Sequence, residues 1–205
     1  MAENCIIFGK SGSGKSHSLI NFKEDEITLV NVVGKKLPFR KAFKYSAPVS
    51  DPDMIKAALK KMPTKVAVID DAGYLMTNMF MKGHTGKDQF KLFNDLADMV
   101  WGLFNFIRYD LPEDVFVFWV FHEETSDLGE VKIRTIGKLL DQKVCLEGLC
   151  TVCLHCIVQN GKHYFSTQSN GLDIAKSPSG MFEDELIPND LKLVYDTMKT
   201  YWGIK

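Results

Sequence analysis

The stretch CIIFGKSGSGKSH, residues 5 to 17, constrains the fold of this chain more than any other. A short apolar run feeds directly into glycines at positions 9, 12 and 14, followed by Lys15 and Ser16. The apolar run reads as a buried strand. The glycines let the backbone that follows curl into a nest of N–H groups at the positive end of a helix, where anions are held. Gly9-x-x-x-x-Gly14-Lys15-Ser16 matches the Walker A pattern in full, with a strand before it and a helix after it. On average residue usage, a chance match in a chain of this size has a probability on the order of one per cent. Gly9, Lys10, Ser11, Gly12, Ser13, Gly14, Lys15, Ser16 and His17 are therefore expected to cradle ATP. Lys15 would bridge the β- and γ-phosphates and the Ser16 hydroxyl would ligate Mg²⁺.

The second half of such a site is an acid at the end of an apolar strand, and VAVIDD (66 to 71) supplies it. Asp70 is expected to hold the Mg²⁺ water shell, making Ser16 and Asp70 the metal residues. Asp71 reads either as the polariser of an attacking water or as a helix cap for AGYLM, and one residue can serve both. His122 ends the apolar run VFVFWVF (115 to 121), either as a γ-phosphate sensor or as a solvent-facing histidine. Glu123 and Glu124 are candidate bases or solvated acids. Lys138, beside Gly137, and Lys162, on the turn NGKH, are candidate fingers acting on a neighbouring subunit's nucleotide. Each is otherwise an ordinary surface charge.

The remaining pattern alternates strands with helices. ITLVNVV (27 to 33) is a continuous β-branched run, as in a parallel strand covered on both faces. A helix is expected from Lys15 to Phe22. Another runs from SDPD, with Ser50 as cap and Asp53 closing a capping box, to Lys61. TNMFMKGHTGKD (77 to 88) reads as a loop with two glycines, and apolar spacing predicts a long helix over 88–109. After a polar loop, a short helix is expected around 137–145. TVCLHCIVQ and HYFSTQ, joined by Asn160-Gly161, form a hairpin signal, and PND (188 to 190) caps a last helix reaching Trp202. The fold class is α/β with a mainly parallel sheet in a single domain, closed by a C-terminal β-hairpin and helix.

Charge narrows the function. With 25 Lys and Arg against 26 Asp and Glu, the net charge of −1 argues against an always-on polyanion binder, while leaving room for a local basic loop. No apolar run reaches the length of a membrane span, and the N-terminus lacks the pattern of a signal peptide, so the cytoplasm is the expected compartment. Five cysteines then read as free thiols. In CTVCLHC (150 to 156), a strand would point Cys150 and Cys156 one way and Cys153 and His155 the other, which favours buried thiols over zinc.

The element order, carried by GKSGSGKS, VIDDAGYL, FWVFHEE, IRTIGKLLDQKV and AKSPSGMF followed by IPNDL, resembles the RecA-type ATPase core. More narrowly, it resembles the compact phage-encoded RecA-like ATPases of single-strand annealing and recombination. The resemblance implies ATP hydrolysis coupled to single-stranded DNA, in a homo-oligomer with ATP between subunits and, in some cases, a single-strand binding or annealing protein as partner. It places a first DNA loop at 77–88, with Phe80, Lys82, His84 and Lys87, and a second at 123–133. RecA-type recombinases carry a catalytic glutamate at the end of the strand after the P-loop helix. Here VNVVGKK has no acid, so Asp71 or a glutamate after His122 substitutes, or hydrolysis is slow. The first strand begins near Asn4 and leaves no filament-docking arm, which favours a ring, a small oligomer or a helper role. Three rivals stand beside this reading. A nucleotide kinase needs an arginine-rich lid, which three arginines scarcely supply. An AAA+ helicase loader needs a helical lid domain. A nucleotide-binding regulator with little turnover fits the missing glutamate.

Overall fold

Strands that are apolar on both faces pair in parallel and are covered on both sides, and the chain follows that rule. The computed structural model describes residues 1–86 and 88–204, so Lys87 lies outside the described residues. Among the described residues nine strands build one sheet: β1 (Glu3–Gly9), β2 (Ile27–Asn31), β3 (Tyr45–Ala47), β4 (Val66–Asp70), β5 (Phe116–Thr125), β6 (Val131–Ile133), β7 (Val152–Gln159), β8 (Lys162–Ser166) and β9 (Leu186–Pro188). Their order is β3-β2-β4-β5-β1-β7-β8-β9, with β6 paired to β5. The run from β3 to β7 is parallel, and β6, β8 and β9 are antiparallel additions.

Helices α1 (Pro52–Lys61), α2 (Gly73–Gly83) and α3 (Gln89–Asp110) cover one face, where Phe8, Ile69 and Trp119 meet Ile55, Leu75, Leu96 and Leu103. On the other face Ile7, Val68 and Phe118 pack against Leu19, Phe22 and α4 (Leu191–Tyr201) through Val194 and Met198. The mainly parallel α/β sheet with a closing hairpin and helix is thus the architecture formed. Asn160 and Gly161 both take positive φ, 52° and 72°, as a tight hairpin turn of this kind requires. No helix among the described residues is long and apolar enough to cross a membrane.

Several elements differ from expectation. The helix expected over 15–22 is one 3₁₀ turn, Ser16–Leu19. Leu19 and Phe22 are drawn into the core, and the Lys41 ammonium takes the carbonyls of Ile20 and Phe22 that a longer helix would use. Asp51, not Ser50, caps α1. Pro52 occupies the first helical position, so the Asp51 carboxylate accepts from the N–H groups of Asp53 and Met54, each at 3.0 Å. Asp53 faces Lys56 instead of closing a capping box.

Residues 77–83 are helical, because Leu75, Met76, Met79 and Phe80 recur on one face of α2 and pack on the core. The segment 123–133 is a hairpin and not an open loop. Glu123–Thr125 extend β5 and pair with β6 around a turn at 126–130. The short helix around 137–145 is a π turn, Leu140–Val144. Cys5, Cys150, Cys153 and Cys156 are buried free thiols, and Cys145 is exposed. Because β7 begins only at Val152, Cys150 shares the Cys153 side of the core, apart from Cys156.

Candidate functional site

β5 lies between β1 and β4, and this order gathers the candidate residues at the carboxyl edge of the sheet. Gly9 is in register with His122, and Asn31 with Asp70. A cleft of about 370 Å³ opens there, its walls including Gly12, Gly14, Lys15, Ser16, Asp71 and His122.

The 9–17 loop is pinned at one atom. The Ser13 carbonyl accepts from His163 Nδ1–H at 2.7 Å, from the Cys156 thiol at 3.0 Å and from Asn189 Nδ2 at 3.4 Å. Burial pushes the Cys156 thiol up to about 11, so it remains a neutral donor. Gly12 and Gly14 take φ of 81° and 101°, conformations that L side chains resist. Lys15, buried, folds over the loop and donates to the carbonyls of Gly9 at 2.8 Å and Lys10 at 2.6 Å. Burial lowers its ammonium below the ordinary lysine value, against the pull of Cys156, Asp71, Asp70 and Glu123.

Ser16 Oγ donates to Asp70 Oδ1 at 3.0 Å, joining the loop to the end of β4. The other Asp70 oxygen, Oδ2, is buried without a hydrogen-bond partner among the described residues. A hydroxyl beside a carboxylate with one free oxygen fits Mg²⁺, which takes few protein oxygens and completes its shell with water and phosphate. Burial raises the Asp70 carboxyl above its ordinary range, and the neighbouring Asp71 charge adds to the rise. A folded pKa raised above the unfolded one makes the carboxylate a cost. Stability falls as pH climbs from the ordinary aspartate value through the raised one, and the cost is fully present above it. Asp70→Asn is therefore expected to raise the unfolding midpoint of the nucleotide-free protein by a few degrees, at about 2–4 °C per kcal/mol for this size, while weakening Mg²⁺-dependent nucleotide binding. Thermal denaturation with and without Mg²⁺ and nucleotide checks both signs.

Asp71 does not cap α2, whose first turn has no side-chain cap. Its buried carboxylate lies 3.4 Å from His122 Nε2 and 2.5 Å from Lys35 Nζ. Burial pushes this carboxyl up, but the hydrogen bonds from His122 and Lys35 and the Lys35 charge outweigh it and hold it below the ordinary value. Glu123 is removed from the cleft. It faces the opposite side of β5, where its carboxylate meets His155 Nε2 at 2.8 Å, while His155 Nδ1 meets Asp173 at 3.0 Å. Glu124 pairs with Lys132 at 3.4 Å. Glu123 thus lines a separate cavity beside residues 10–13, and Asp71 is the acid that lines the cleft with Lys15 and Ser16.

The sequence reading missed Lys35, Lys36 and His163, which also line the cleft, and Asn189, which braces the loop. Only the basic pair after Gly34 gave any sign. Lys82 and His84 lie exposed at the C-terminal end of α2, outside the cleft. Lys162 is exposed on β8, next to His163. Lys138 lines a larger cavity, about 700 Å³, with Phe90, Phe93 and Leu139. None of its lining residues belongs to the 9–17 loop, so the smaller cleft is the candidate site. Comparison of the sequence with known protein families and with curated proteins finds no match.

Proposed function

We propose that this chain is a Mg²⁺-dependent ATPase with a RecA-like core, whose turnover is coupled to single-stranded DNA. The observation that carries the reading is the Ser16–Asp70 contact, which joins two motif halves 54 residues apart in the order expected of a metal-triphosphate site. Lys15 sits at the lip of the loop, where its two carbonyl partners can be exchanged for phosphate oxygens. The metal, when bound, neutralises charge on the phosphates.

In the hydrolytic step a water oxygen bonds to the terminal phosphorus and the bond to the β,γ-bridging oxygen breaks. Asp71 accepts the water's proton and the diphosphate carries away the bond electrons. His122, beside Asp71, orients the water and the terminal phosphate. Lys138 and Lys162 do not line the cleft, so as fingers they act on the nucleotide of a second copy in a homo-oligomer.

The DNA part of the proposal rests on the resemblance, supported by an exposed cluster at the α2–α3 junction. Lys82 and His84 are exposed there, and Phe90, 79% exposed, offers a face for base stacking. The test is steady-state phosphate release with and without long single-stranded DNA at low salt. Mg²⁺-dependent release stimulated by DNA, and stimulation lost in Lys82→Glu, is the expected result. Turnover indifferent to DNA removes the DNA coupling and leaves a protein-partnered ATPase, as in a helicase loader. Binding without turnover makes the chain a nucleotide-binding regulator.

A further inference from the structure

We infer that Lys35 reads the terminal phosphate and releases Asp71 only when that phosphate is present. This rests on the nucleotide-hydrolysis reading above. The stretch VNVVGKK lacks the acid expected after β2, and the geometry of that stretch says what stands in its place. Asn31, the last residue of β2, folds the turn that follows. Its Oδ1 accepts from Gly34 N–H at 2.8 Å, and its Nδ2 donates to the Lys35 carbonyl at 2.6 Å. Gly34 completes the reversal with φ of 74°. Because Asn31 is in register with Asp70, the turn delivers the Lys35 ammonium over the end of β4, to 2.5 Å from Asp71 Oδ2. Instead of an acid, the end of β2 supplies the cation that holds the acid following β4.

Asp71 is itself held from three directions. Its backbone takes φ of 57°, its carboxylate is 3% exposed, and His122 Nε2 approaches the second oxygen at 3.4 Å. Lys15 is likewise engaged, with loop carbonyls. Lys15 and Lys35 thus each have an internal oxygen partner that a phosphate oxygen can replace. The two sides of the Lys35 pair differ, because the lysine side chain is 49% exposed and the aspartate is buried. The half-exposed ammonium is open to the cleft and is free to swing. A terminal phosphate with two negative charges competes well for it.

When Lys35 moves to that phosphate, its ion pair with the buried Asp71 carboxylate opens, and Asp71 keeps His122 as its neighbour at 3.4 Å. A diphosphate, which lacks that group, leaves the pair intact. The same contact favours triphosphate over diphosphate, so Lys35 is a specificity determinant.

The test compares binding of ADP and of a non-hydrolysable ATP analogue, with Mg²⁺, to the wild type, Lys35→Met, Lys35→Arg and Lys15→Ala. Lys35→Met is expected to lower the preference for the triphosphate by about tenfold through loss of one charge-assisted contact, with ADP affinity unchanged, and Lys35→Arg to restore most of it. A purely structural role would weaken both nucleotides together. If Lys15→Ala abolishes binding while Lys35→Met keeps the wild-type preference, this inference is overturned and the site reading stands. If Lys15→Ala binds both nucleotides normally, the site reading itself fails. Thermal midpoints confirm that each variant is folded, and Lys35→Gln replaces Lys35→Met if that variant is not.

Discussion

Lys15→Ala is expected to lower ATP hydrolysis by about 10²–10³-fold or more, the scale set by removing one donor aimed at transition-state charge. Lys15 is buried at the lip of the loop, and its ammonium spans the carbonyls of Gly9 and Lys10. Phosphate oxygens offer that ammonium the same geometry with full negative charge, so the exchange strengthens as charge develops on the terminal phosphoryl group. The loss falls on kcat as well as on binding, because the contact tightens in the transition state. The fold is retained, since the Ser13 carbonyl keeps its three donors from His163, Cys156 and Asn189. Phosphate release by a variant with a near-native melting profile checks this. Full turnover in Lys15→Ala would move the chemistry elsewhere.

The second large effect is on stability. A Cβ at Gly9 would lie 2.5 Å from the Cys156 carbonyl oxygen and 2.7 Å from Ser13 Oγ. The carbonyl belongs to β7, which is paired to β1 and cannot retreat without breaking the sheet. Overpacking of this kind costs about 1–3 kcal/mol and sometimes more. Gly9→Ala is therefore expected to lower the unfolding midpoint by about 2–12 °C, using the size-dependent conversion for a domain of this length. Gly12→Ala is the control. Nothing lies within 4 Å of its Cβ, and its cost comes only from φ of 81°. That backbone strain is about 1–2 kcal/mol, a smaller drop. Equal midpoints for the two variants would show that the loop does not press on β7.

How much of this was legible in the sequence follows from the range of each interaction. The glycine spacing at 9, 12 and 14, the apolar strand ending at Asp70 and the Asn160-Gly161 turn are local signals, and each was readable because a few adjacent residues decide the backbone. The α2 helix was missed because Gly83 and Gly86 suggested a loop, whereas packing of Leu75, Met76, Met79 and Phe80 on the core decides the conformation. Glu123 looked equivalent to Asp71 as a base until β5 continued through it and turned it toward His155. Lys35, His163 and Asn189 reach the site only through the sheet order. Asn189 meets Ser13 across 176 residues, and no local pattern encodes that contact. The expectation of a metal between Ser16 and Asp70 was local in each half, yet their approach to 3.0 Å depends on β5 separating β1 from β4.

The most direct measurement is calorimetric titration of the folded wild-type chain with a non-hydrolysable ATP analogue, with Mg²⁺ and with a chelator. Saturable binding to one site per chain, strengthened by Mg²⁺ and lost on replacing Lys15, is the result expected of a metal-triphosphate cleft built from the 9–17 loop and Asp70. Absence of binding, or binding that ignores both Lys15 and Mg²⁺, would contradict it.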